Sequence, residues 1–110
     1  GYVVGNIFRV IFSSKARKQL KEISDYQTRT ASPTVARKTR SEISKEAAKL
    51  ENLPASKPIL PGTEDRKEEI RYAKKWSYKI IFQVLNPKNL VRILMVRHDA
   101  EDPDDILDDL

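Results

Sequence analysis

Residues 78–98 read YKIIFQVLNPKNLVRILMVRH, and this stretch decides the fold. Two runs, 78–85 and 90–97, are dominated by β-branched and other apolar side chains, the composition of strands. The four residues between them, Asn86 to Asn89, include Pro87 and two asparagines, which favour a tight reversal. The pair is therefore predicted to be an antiparallel hairpin. Just upstream, KEEIRYA (67–73) is a third strand candidate joined by KKWS (74–77), so three consecutive strands form a meander. Along the middle strand Ile80, Phe82 and Val84 share one face, and Lys79, Ile81, Gln83 and Leu85 the other. Strict alternation in the last strand groups Val91, Ile93, Met95 and Arg97 against Leu90, Arg92, Leu94, Val96 and His98. Neither strand has a purely polar side. Each face of the sheet needs a cover, or one of them is a binding surface.

Working back from the meander, the cover comes from two helices. Ser13 or Ser14 is a natural N-cap, and Ala16, Leu20, Ile23 and Gln27 repeat at helical spacing to about Thr30. Ser32 caps a second helix with Pro33 at its first position, where the missing N–H costs nothing. Ala36, Thr39, Ile43, Ala47 and Leu50 form its stripe, and Pro54 ends it. A connection this short makes the helices an antiparallel hairpin. Residues 54–66, PASKPILPGTEDR, hold three prolines and a glycine and read as a loop, with Ile59 and Leu60 tucked beneath it. NIFRVIF (6–12) reads as an opening strand, pairing at the edge or centre of the meander. The fold class is α+β: a helical hairpin packed on a small antiparallel sheet, order β-α-α-β-β-β.

The chain has 110 residues, 39% of them hydrophobic and 34% charged, enough for one domain with one modest core. It has no cysteine, which excludes disulfides and thiolate metal sites. YVVGNIFRVIF is too short to span a bilayer and is interrupted by Asn6 and Arg9. A soluble, cytoplasmic protein with no membrane contact is expected. Gly1 in place of methionine reads as a processing remnant.

The net charge of +5 hides an asymmetry: residues 1–98 hold all 21 Lys and Arg, whereas residues 99–110 hold seven acids and no base. The expected organisation is one domain over 1–98 followed by an acidic tail over 99–110. The basic body calls for an anionic partner. For the tail two readings stay open. It folds back over the basic face through Ile106, Leu107 and Leu110, or it is a solvated, disordered end, which its composition favours.

FSSKARKQLKEISDY (12–26), SPTVARK (32–38), EIRYAKKWSYKIIFQV (69–84) and VRILMVRHDAEDP (91–103) together resemble the RelE/ParE superfamily of bacterial toxins, often labelled plasmid stabilisation proteins, and the ParE branch more closely. The resemblance implies a toxin of a type II toxin–antitoxin module, in tight complex with its cognate antitoxin. For the ParE branch it implies DNA gyrase as target. For the RelE branch it implies the ribosome and messenger RNA, cut by an endoribonuclease. A possible homodimer and a non-toxic, degenerate member are further readings. No cofactor is expected.

Candidate site residues follow. Arg71, Lys79, Arg92 and Arg97 lie on adjacent strands, and several of them are expected to share a face. Cleavage through a ribose 2′-hydroxyl needs a base, an acid and cations on the phosphorane. Arg71, Lys79 and His98 are the catalytic candidates, His98 because imidazole ordinarily titrates near 6.5. The RelE-type pattern also carries a C-terminal tyrosine, and here all four tyrosines precede His98. Arg71, Trp76, Lys79, Arg92, Arg97 and His98 are the candidates for contact with antitoxin or target, Trp76 as a stacking or pocket anchor unless it caps the core. The family pattern commonly carries an arginine just before Asp-Pro; here that residue is Glu101. One histidine cannot form a metal site, and the acids after it lack the glycine-bearing spacing of a calcium loop. No metal is expected.

Overall fold

The structure, a computed structural model, describes residues 7–86 and 88–110. Asn6, where the opening strand was expected to begin, and Pro87 of the expected turn lie outside the described residues. The elements run β1 (Arg9–Phe12), α1 (Ser14–Thr30), α2 (Pro33–Ala48), β2 (Glu69–Lys75), β3 (Tyr78–Leu85), β4 (Leu90–His98) and α3 (Pro103–Asp108). Both expected caps form. Ser13 Oγ accepts from the Ala16 N–H at 3.0 Å, and Ser32 Oγ from the Val35 N–H at 3.1 Å. Lys49–Glu51 and Pro54–Ser56 are short 3₁₀ turns that end the helical hairpin.

The sheet order is β1-β4-β3-β2. The three later strands are the expected antiparallel meander, while β1 takes the edge beside β4 and runs parallel to it, so the sheet is mixed. β1 ends halfway along β4. Beyond it α1 takes over β4's polar groups: Ser13 Oγ donates to the Leu94 carbonyl at 3.0 Å, and the Val96 N–H donates to Gln19 Oε1 at 2.9 Å. On the far edge, loop 58–60 lies along β2, with Leu60 N–H donating to the Ile70 carbonyl and Tyr72 N–H to the Pro58 carbonyl.

One β-bulge changes the expected faces. Ile81 pairs with Met95 and Phe82 with Ile93, which leaves Leu94 without a partner on β3. Val91, Ile93 and Val96 therefore lie on the helix side, in one core with Ile80, Phe82, Val84, Ile43, Ala47 and Leu20. Met95 lies on the outer side with Ile70, Ile81, Leu60 and Ile106. The expected grouping of Met95 with Val91 and Ile93 is thus corrected: one unpaired residue reverses the alternation.

The cover of the outer face is the acidic chain end. Asp102 caps α3 by accepting from the Asp104 N–H at 2.9 Å, and Pro103 occupies its first position. Ile106 is buried in the outer core, with Leu107 and Leu110 packed at its margin. Gly62 (φ +92°) lies under Leu107, where a Cβ would come within 2.6 Å of the leucine Cδ1. The loop at Gly62 is shaped to receive that side chain.

Candidate functional site

The bulge also decides which cations meet. Strict alternation would put Arg92 and Arg97 on opposite faces. With Leu94 unpaired, both lie on the outer face: Arg92 opposite Gln83, Arg97 opposite Lys79. Lys74 pairs with Lys79 on the other side, so Lys74, Lys79 and Arg97 form a row across three strands. Arg71 is not part of it. It pairs with Phe82 on the helix-side face, and its guanidinium is held by Glu69 and the Lys57 carbonyl. Its role there is to fasten loop 57–60 across β2. The expectation that several of the four cations share a face holds for Lys79, Arg92 and Arg97 and is corrected for Arg71.

Each cation of the row already has an anion from the chain end. Asp99 lies between Lys74 Nζ (2.9 Å) and Lys79 Nζ (3.5 Å), and its backbone N–H donates to the Ser77 carbonyl at 2.7 Å. The hydrogen bond from Lys74, helped by the nearby Lys79 charge, holds the Asp99 carboxyl below the usual carboxylate range and raises Lys74. Arg97, its side chain only 12% exposed, binds Glu101 through Nε and Nη2 and Asp109 Oδ2 through Nη1 at 2.6 Å. That two-pronged contact depresses the Glu101 carboxyl and raises the Arg97 guanidinium. Lys15 of α1 also donates to the Asp109 carbonyl at 2.8 Å. Of Lys74, Lys79, Arg92 and Arg97, only Arg92 has no ion pair within the described residues.

His98 faces the helix side rather than the cation row. Its ring meets Tyr78 edge-on, centroids 5.5 Å apart, and its Nδ1 accepts from the Ala100 N–H at 3.0 Å. Tyr78 Oη accepts from Gln27 Nε2 at 3.2 Å, and burial first, then the nearby Tyr26, pushes the phenol's pKa up. A groove of about 460 Å³ runs along here, walled by Ile23, Tyr26, Tyr78 and His98 and reaching round the sheet edge to Arg97, Glu101 and Asp109. Trp76 occupies the β2–β3 turn in a left-handed conformation (φ +53°), 52% exposed, with Lys75 Nζ 5.6 Å from the ring centroid. A tryptophan pays a backbone cost there that glycine would not, and it is turned outward rather than into the core.

The arrangement can bind anions and apolar side chains. Among the described residues it does not gather a base, an acid and a free phosphate clamp: Arg71 is on the helix-side face, and Lys79 and Arg97 are neutralised. Lys74 and Asp109 were not singled out from sequence. The strand register brings in the first, and the fold-back of α3 the second. No helix among the described residues is long and apolar enough to cross a membrane.

Comparison with protein families matches residues 10–103 to the model described as the ParE toxin of the type II toxin–antitoxin system, parDE. This chain belongs to the ParE toxin family. The matched span takes in both helices and all three meander strands, and it ends at the first residue of α3. Among solved structures, one similar to this ParE-family chain is described as the chromosomal ParDE TA system from P. aeruginosa. It has 18% identity and a TM-score of 0.68, covering 86% of this chain and 98% of that one. Another is the archaeal RelE–RelB complex from Pyrococcus horikoshii OT3, at 18% identity and a TM-score of 0.57, covering 87% and 99%. At that identity the two establish a common fold and nothing finer. Comparison with curated proteins returns no match.

Proposed function

We propose that this ParE-family chain acts by binding rather than by catalysis: it is held by a cognate antitoxin and, when released, inhibits DNA gyrase. The observation that carries this reading is the dispersal of the catalytic candidates. Arg71 lies on the helix-side face and is held by Glu69, Lys79 is engaged by Asp99, and Arg97, which shares the groove of His98, is already held by Glu101 and Asp109. RNA cleavage through a 2′-hydroxyl needs those groups together around one phosphate. Binding needs only a shaped, charged surface. The docking residues proposed are Lys79, Arg92 and Arg97 on the outer face, with Trp76 and His98 at the end of the sheet from which the β2–β3 turn projects. An antitoxin segment bearing acids and an apolar stripe would compete with α3, which has that same chemistry.

The pairing of Glu101 with Arg97 favours a second reading, a family member that keeps its antitoxin and has lost its target, because the cation nearest the chain end is neutralised in place. The test is a gyrase supercoiling assay run beside an assay of messenger RNA cleavage on translating ribosomes. Inhibited supercoiling with intact RNA is expected. RNA cleavage that disappears with Lys79→Ala or Arg71→Ala would overturn the binding reading. No effect in either assay, with no arrest of bacterial growth, selects the non-toxic member.

A further inference from the structure

One face of α1 carries Gln19, Glu22, Ile23 and Tyr26, spaced as neighbours on a helix are. Together with the ends of β3 and β4, these side chains wall the groove of about 460 Å³ beside His98. Ile23 and the fully buried Val96 supply apolar surface, and Tyr26, Tyr78 and His98 supply three rings. Two of the rings are held in place by the fold. Tyr78 is half-buried, its hydroxyl oxygen accepts from Gln27, and it meets the His98 ring edge-on. His98 is steadied in turn by the Ala100 N–H donating to its Nδ1. The third ring, Tyr26, is 58% exposed, a large aromatic surface left in water beside the groove.

The charge of this groove runs against that of the chain. Lys and Arg outnumber Asp and Glu by 21 to 16 overall. The groove is nevertheless lined by three carboxylates, Glu22, Glu101 and Asp109, and by one cation, Arg97. Glu101 and Asp109 share that cation. Glu22 has no ion pair within the described residues. An unpaired carboxylate one helical turn from an exposed tyrosine is a pair of groups suited to a guanidinium. The planar cation lies on the ring, and its fork meets the carboxylate. The other end of the groove already displays half of that chemistry, one guanidinium held between two carboxylates.

We infer that this groove receives an arginine side chain of a partner protein, its stem along Ile23 and Val96, its guanidinium stacked on Tyr26 and paired with Glu22. The inference rests on the reading that this chain acts by binding, and it gives the end of the sheet at His98 a ligand of stated chemistry. Charge and shape decide the occupant. Three carboxylates repel a nucleic acid or an acidic peptide, so the groove is a different surface from the one that α3 covers. A lysine or a free polyamine would pair with Glu22, but a hydrated ammonium gains less on an aromatic face than a guanidinium does. A purely apolar side chain would leave Glu22 without its counterion.

The test is NMR of the labelled full chain titrated with the capped peptide acetyl-Gly-Arg-Gly-amide, with the lysine, glutamate and leucine analogues and spermidine as controls. The arginine peptide should bind with a dissociation constant on the order of 1 mM and shift the ring signals of Tyr26 and Tyr78 and the Ile23 methyls. Every control should bind more weakly, and added salt should weaken the arginine peptide. Glu22→Gln with Tyr26→Ala should lower its affinity by about fivefold or more, with thermal unfolding unchanged because both side chains are exposed. Four results would overturn the proposal: no shift in the groove, shifts confined to Ile81 and Met95, a control that binds as well as the arginine peptide, or an affinity indifferent to the double substitution. Self-association of the chain that the same substitutions abolish would give the groove to a second copy and overturn it too. None of these readouts depends on toxicity. The groove can fail while gyrase inhibition stands, and RNA cleavage can overturn the binding reading without moving a signal in this titration.

Discussion

The two faces of the sheet are closed in different ways. The helix side is sealed by a continuous hairpin that precedes the meander, and its core holds Phe82, Ile80, Ile93 and Val96 with almost no accessible surface. The outer side is sealed by six helical residues at the chain end, one buried isoleucine and a set of ion pairs. The first closure makes the fold. The second rests on few contacts, each partly polar, and such elements open at lower free energy than the core does. If the outer face is the docking surface proposed above, a cover that can leave suits it.

The largest effect expected is on the helix side. Phe82→Ala should cost about 3–5 kcal/mol and lower the urea midpoint of the whole domain. On the outer side Ile106→Ala should cost about 2 kcal/mol, and the loss should be local. Hydrogen exchange should rise in residues 103–110 while β3 amides keep their protection. Equal deprotection of both would remove the contrast between the faces. Arg97→Ala should come next, at about 1–2 kcal/mol, because it leaves Glu101 and Asp109 facing each other without their shared cation. A double-mutant cycle with Glu101→Gln separates the pair from the packing.

Acid should act on the outer face before the inner one. Asp99 and Glu101 both titrate below their unfolded values, so the folded chain binds fewer protons than the unfolded one between the depressed and the ordinary carboxylate pKa values. Their contribution is complete above about pH 4–5 and is lost as pH falls through the depressed values. Signals of Ile106 and Leu107 should therefore change at a higher pH than those of Phe82. The smallest effect on stability belongs to Trp76→Asn, under about 1 kcal/mol, since asparagine accepts the left-handed turn. If Trp76 anchors a partner, this variant should bind more weakly at nearly constant melting temperature.

The helices and meander were legible because each leaves a local mark: caps at Ser13 and Ser32, Pro33 at a first position, apolar residues at the right period. The bulge leaves none. Leu94 suits a strand whichever way it points, so nothing in VRILMVR says that Arg92 and Arg97 end on one side. The parallel pairing of β1 was equally silent, since it joins residues some eighty positions apart. The helix at the chain end is hidden from composition because seven acids dominate its average. The signal was positional: Asp102-Pro103 as cap and first residue, then Ile106, Leu107 and Leu110 at one-turn spacing. Of the candidate site, the cations were found, but their partners and facing were not, because both depend on register.

The position of β4 has a kinetic consequence. Of the described strands it is made last, yet it lies between β1 and β3, so Arg9 must wait for Leu90 before the sheet can join. During synthesis the helical hairpin can form early, while β1 stays unpaired until β4 has been made. Contacts this distant in sequence slow folding. The sheet therefore closes only once β4 has been made, and until then neither β1 nor the outer face of the sheet is covered.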